Sequence, residues 1–212
     1  MSKQSLTLTG VLLAACHALA AQAADPATIA RSGAGAATAC ANCHGAQGEG
    51  QSSFPRLAGL DAGYLARQLD DFASDRRANA VMGPIAKALS TVDRRAMAAY
   101  YAGMSPPAST GAAPPASAPG GRLATRGEWT KGVPGCVQCH GPGGVGVGAA
   151  FPAIAAQSAG YIAAQLKAFR DGTRRNDPQS LMRTPASKLT DEDIDAVAAW
   201  FAAQPARTGG RL

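Results

Sequence analysis

Two five-residue runs constrain this chain more than anything else in it: Cys40-Ala41-Asn42-Cys43-His44 and Cys136-Val137-Gln138-Cys139-His140. Each is Cys-x-x-Cys followed directly by His, and the two stand 96 residues apart. Their surroundings repeat as well. Phe54-Pro55 returns as Phe151-Pro152, Tyr64 as Tyr161, Gln68 as Gln165, Leu69 as Leu166 and Phe72 as Phe169, all at an offset of 97. Met82, Leu89 and Asp93 return as Met182, Leu189 and Asp193 at an offset of 100. A few short loop insertions account for the drift. The chain reads as a tandem duplication, so the chemistry of one half is expected in the other.

Residues 105–121 are rich in Pro, Ala, Ser and Gly and lack periodicity, which predicts a semi-extended linker. It divides the body into residues 25–104 and 122–212. Residues 1–24 read as a secretory signal: Lys3, an apolar run from Leu6 to about Ala20, then small residues with a cleavage site near Ala23 or Ala24. The run is short for a membrane anchor, and no later stretch is apolar enough to span a bilayer. The expected location is the periplasm. Leu13-Ala14-Ala15-Cys16 also resembles a lipobox, so a lipid anchor at Cys16 is the alternative to simple secretion.

Both halves carry helical periodicity. Tyr64, Leu65, Gln68, Leu69 and Phe72 share one helix face, as do Tyr161, Ile162, Gln165, Leu166 and Phe169. Ser90-x-x-Asp93 and Thr190-x-x-Asp193 resemble capping boxes that open terminal helices. No run alternates with period two long enough to suggest a sheet. The fold class expected is all-α: two small domains. Only 5% of residues are aromatic, against 25 Gly and 14 Pro, so each core would be thin. Small domains of this kind usually recruit a disulfide, metal or cofactor.

The Cys-x-x-Cys-His run supplies one. Two thiols at this spacing can reach the two vinyl groups of a haem and form thioethers, and the adjacent imidazole then lies under the iron. A thioredoxin-like pair would need a strand-to-helix setting that is not visible. Structural zinc needs four ligands, and each half offers three. A plain disulfide explains neither the histidine nor the duplication. The reading is therefore two covalently bound haem c groups, held by Cys40 and Cys43 and by Cys136 and Cys139, with His44 and His140 as axial iron ligands.

The sixth ligand follows from an inventory. Beyond the leader His44 and His140 are the only histidines, and no cysteine is spare. Met182 is the only methionine of the second half, and the repeat carries that choice onto Met82 rather than Met97 or Met104. Met97 aligns with Val197 and reads as core. His/Met ligation at both irons is the leading expectation, with lysine or an empty position as the alternative. A thioether favours Fe(II), and a closed iron leaves no position for a substrate, which points to electron transfer.

Charge supports no other class. The formal charge is +6, and the body from Asp25 has 19 basic and 14 acidic residues. Two propionates per haem would leave about +1, so the basic balance is a poor argument for nucleic acid.

These motifs, with Tyr-x-x-x-Gln-Leu-x-x-Phe and a Met followed by Lys-Leu-(Ser/Thr), resemble class I cytochrome c. The double copy is similar to the dihaem cytochrome c4 family over nearly all of residues 25–205. The resemblance implies that the carbonyls of Pro55 and Pro152 hold the histidine Nδ1–H, and that Tyr64, Tyr161, Phe72 and Phe169 either touch the haem or serve as plain core. It implies an electron carrier, not an enzyme, working from a quinol-cytochrome c reductase toward a terminal oxidase. The alternative is a haem subunit docked on a periplasmic dehydrogenase. A dihaem peroxidase would need an open iron, and a thiosulfate dehydrogenase a cysteine ligand that this chain lacks. The linker is long and Pro-rich for the family, which puts the family's tight domain pairing in question.

Overall fold

The computed structural model describes residues 24–108 and 112–206; the leader, with Lys3 and Cys16, lies outside the described residues. The first half runs α1 (Pro26–Ser32), α2 (Ala41–His44), α3 (Ala62–Ala73), α4 (Met82–Ala88) and α5 (Thr91–Ala102). The second half repeats that order as α6 (Gly121–Arg126), α7 (Val137–His140), α8 (Ala159–Arg170), α9 (Arg183–Ala186) and α10 (Asp191–Ala202). A two-residue hairpin, β1 (Gly127–Glu128) against β2 (Val133–Pro134), is inserted between α6 and α7. Strands this short leave no period-two pattern, which is why the sequence showed none.

Local chemistry sets the helix starts. Asp61 caps α3 by accepting the Tyr64 N–H at 2.9 Å, and Ser158 caps α8 by accepting that of Tyr161 at 3.1 Å. Ser90 accepts the Asp93 N–H at 3.0 Å to open α5, while Thr190 and Asp193 form a reciprocal capping box on α10. Such caps are worth about 1 kcal/mol each.

Within each half the long helices pack on one another, α3 on α4 and α5, α8 on α9 and α10. Leu65 from α3 packs in one cluster with Met97, Ala98 and Tyr101 from α5, all buried. Ile162 from α8 packs with Val197 and Phe201 from α10 in the same way, and Ile194 of α10 with Val133 and Leu189. Burial of each large apolar side chain contributes roughly 1.5–3 kcal/mol. Met97 is 2% exposed and Val197 1%, so the repeat partners share a core position, as the register predicted.

The loop after each motif is folded tightly under the terminal helix. Gly48 and Gly144 have φ of +68° and +82°, and a side chain at either would run into the ring of Tyr101 or Phe201 at 2.7 Å. Only glycine meets both demands. Each glycine carbonyl then accepts two N–H groups, Leu57 and Ala58 in the first half and Ile154 and Ala155 in the second. That return brings Pro55 over His44 and Pro152 over His140.

The semi-extended linker is held by side chains of the second half. Pro115 O accepts the indole N–H of Trp200 at 3.1 Å, and Pro114 O accepts from Gln204 Nε2 at 3.3 Å. Its last residue, Gly121, is the first of α6 and is buried. The segment from residue 112 onward is thus docked on the second half.

Candidate functional site

Each motif forms one helical turn, α2 or α7, which places its histidine on the inner side. His44 is 6% exposed and His140 8%. His44 Nδ1 lies 2.8 Å from Pro55 O, and His140 Nδ1 lies 2.8 Å from Pro152 O. A carbonyl can only accept, so Nδ1 carries the proton and Nε2 keeps its lone pair free for a metal. Burial lowers the pKa of both imidazoles and outweighs the opposing carbonyl bond, so both stay neutral. Phe54 and Phe151 stand edge-on to these rings, with centroids 6.3 and 6.4 Å away.

The four motif cysteines are half-buried and unbonded. Burial pushes the Cys40 thiol up and the Cys136 thiol up to about 11. A redox-active Cys-x-x-Cys pair has the opposite shift, toward thiolate. Among the described residues no three His, Cys, Asp or Glu side chains converge to hold a metal ion.

The motifs open on one continuous cavity of about 660 Å³ that extends through both halves. Cys40, His44 and Met82 border it in the first half, and Cys136, His140 and Met182 in the second. Its walls are mostly apolar side chains, among them Leu65, Phe72, Ile162 and Phe169. This is the bulky apolar ligand space that the thin cores called for, with thiols and a metal-binding nitrogen at its edge. A haem in each half fits that donor set.

Met97 also borders the cavity, from within the core, whereas Met104 packs against the outside of the first core. Met82 and Met182 border the cavity from other elements, each half-buried at the start of a short helix. Both are pinned through the backbone. Asn79 Oδ1 accepts the Met82 N–H at 2.8 Å and that of Val81 at 3.0 Å. Asp177 Oδ2 accepts the N–H groups of Met182 and Arg183 at 3.1 and 3.0 Å, and Oδ1 pairs with Arg183 Nε at 2.8 Å. Burial raises the Asp177 carboxyl, but these bonds prevail and hold it below the usual range. Sequence reading passed over this pair because the two sit at different spacings from their methionines.

It also missed how the halves join. Gln68 Oε1 accepts from Arg77 at 2.9 Å and from Arg174 at 3.0 Å, while Gln165 Oε1 accepts from both at 2.7 Å. Arg77 and Arg174 are themselves repeat partners, and each lies over the phenylalanine of the preceding helix in its own half, Phe72 at 4.6 Å and Phe169 at 4.4 Å. The lattice is a pseudo-two-fold interface within one chain. Burial raises the Tyr161 phenol, but Arg77 and Arg174 reverse the direction and hold it down. Asn176 Nδ2 adds a bond to Asp71 at 2.7 Å. The halves are therefore closely joined, despite the question that the linker raised over tight pairing. The signal was there: Gln68 and Gln165 recur on core-facing helix sides, where a polar residue needs a partner.

Fold and paired sites together define a c-type cytochrome with two covalently bound haem c groups, a protein of single-electron transfer. The family model described as Cytochrome c matches residues 14–105 and again 120–204. A thiosulfate dehydrogenase electron acceptor from Stutzerimonas stutzeri is 51% identical over 188 residues, 86% of this chain and 87% of that one. The structure of reduced recombinant cytochrome c4 from Pseudomonas stutzeri superposes with a TM-score of 0.72 at 35% identity, covering 78% of this chain and 93% of the other. A thiosulfate dehydrogenase from Marichromatium purpuratum superposes with a TM-score of 0.77 at 41% identity over 85% of this chain; this chain spans 40% of that one. The chain belongs to the cytochrome c family and, within it, to the dihaem cytochromes c4. Its partners are redox proteins, and among the described residues no helix is long and apolar enough to cross a membrane.

Proposed function

We propose that the chain is a periplasmic electron acceptor for a dehydrogenase of thiosulfate type, taking electrons singly and passing them on. Cys40 and Cys43 bind one haem through thioethers, and Cys136 and Cys139 the other. His44 and Met82 would hold the iron of one, and His140 and Met182 that of the other. The haem iron supplies the one-electron couple. The chain's residues do the rest: the Pro55 and Pro152 carbonyls fix the imidazole tautomer, the methionines favour Fe(II), and the apolar walls exclude water. The paired Nδ1–carbonyl bonds, 2.8 Å in both halves, carry the site assignment. The similarity to dehydrogenase electron acceptors at 51% identity supports the choice of donor.

The likeness to cytochrome c4 favours a second reading, a carrier from a quinol-cytochrome c reductase to a terminal oxidase. Stopped-flow mixing separates the two. Oxidised protein with a catalytic amount of thiosulfate dehydrogenase should be reduced at both haems on addition of thiosulfate. Reduction by the quinol-driven complex alone would overturn the proposed donor and select the second reading.

A further inference from the structure

The residue after each histidine-holding proline differs between the halves: Arg56 follows Pro55, and Ala153 follows Pro152. Arg56 is 1% exposed and borders the cavity. Its Nη1 donates to the Ala58 carbonyl, and its Nη2 reaches Ala155 O of the other half at 3.0 Å. Its backbone N–H donates to Gln157 Oε1 at 2.7 Å, and its carbonyl accepts from Gln157 Nε2 at 3.1 Å. All of these partners are neutral. Among the described residues no carboxylate side chain pairs with the guanidinium, and Nε is buried with no partner at all. A buried cation without an anion is strongly unfavourable, and burial lowers its pKa to about 10.

A second asymmetry points the same way. The repeat partner of Phe201 is Tyr101, which also borders the cavity and whose buried hydroxyl has no oxygen or nitrogen partner, only the Cys40 thiol beside it. The first half thus has a polar, cationic corner where the second has Ala153 and Phe201.

We infer that Arg56 is a positioning residue that binds a carboxylate of the first half's haem through Nε and biases that haem toward Fe(II) relative to a site lacking the cation. This rests on the haem reading above. Without Arg56 that carboxylate would be left unpaired near the haem and would favour Fe(III), because charge acts strongly where water is excluded. The anchors at Ala155 and Gln157 belong to the second half, so docking of the halves holds this charge in place.

The test is a potentiometric titration of the full-length dihaem protein, wild type against Arg56→Gln, with haem content counted in both. With two haems retained, one component should fall by at least a tenfold change in its Fe(II)/Fe(III) equilibrium, about 59 mV for one electron. The same substitution in a Met182→Ala background, where the second haem lacks its Met band, should show that the shifted component still has one. Arg56→Lys should restore most of the shift; a merely structural role predicts that Lys and Gln behave alike. Unmoved potentials with two haems bound overturn the inference, and loss of a haem without loss of Cys40 or Cys43 counts against the haem assignment instead. If Arg56→Gln does not fold, wild-type protein labelled with 15N-arginine decides. One Nε–H protected from exchange should shift when the first haem is reduced, and the absence of any such signal overturns the inference.

Discussion

Arg77 Nη2 lies 2.7 Å from Gln165 Oε1, so a guanidinium rooted in the first half ends on a helix of the second. Gln68 and Tyr161 take its remaining bonds at 2.9 and 3.0 Å. Arg77→Ala would strip buried partners from three residues at once, at a cost of about 2–4 kcal/mol. The wild-type halves are expected to unfold together in denaturant, and the variant to show two transitions, one per half. A single unchanged transition would mean that the lattice does not couple them.

Much of this architecture was legible because it is local or repeated. The Cys-x-x-Cys-His runs, the caps at Ser90 and Thr190, and the faces of α3 and α8 depend on neighbours within a few residues, where spacing is informative. The cross-half lattice depends on which surfaces meet, and no periodicity records that. Arg76 and Arg77 look alike in sequence, yet Arg76 is largely exposed and bonds Asp71, while Arg77 is buried. Composition marked the linker as an extended spacer; it could not show that Trp200 and Gln204 would bind its carbonyls.

Partner docking should depend on salt. Residues 25–104 carry 8 basic and 7 acidic groups and residues 122–212 carry 11 and 7, which leaves about −1 and +2 with reduced haems included. The two ends can then steer different partners over roughly 10 Å at 0.1 M salt. Second-order electron-transfer rates with a physiological partner are expected to change steeply between 10 and 200 mM salt, values set by the screening length. Flat rates would count against this steering.

The methionine loops should differ in what holds them. Asn79→Ala removes the acceptor of two exposed N–H groups, at a cost of about 0.5–1.5 kcal/mol, and Asp177→Ala that of two half-buried ones, at about 1–3 kcal/mol. Each is expected to weaken the Met-to-iron absorption of its own haem only. Asp177→Asn keeps an acceptor but loses the pairing with Arg183, so its effect should be smaller than that of Asp177→Ala. Visible spectra through a denaturant titration would rank the three variants.

The sixth ligand is the assignment most open to a decisive test. Met182 is the only methionine in its half, whereas the first half holds Met82, Met97 and Met104. Replacing Met82 or Met182 by Ala leaves cysteines and histidine untouched, so the haem should stay attached. The weak Met-to-iron absorption should vanish from one haem, and that haem's potential should fall because a stabiliser of Fe(II) is gone. The opened iron should also gain affinity for added cyanide or CO. Met97→Ala is a different experiment, because its side chain is 2% exposed between α3 and α5. It should cost about 2–5 kcal/mol of stability and leave both spectra as they were. If Met97→Ala removed a ligand band and Met82→Ala did not, the repeat register would be wrong, and the first haem would be ligated from the terminal helix instead.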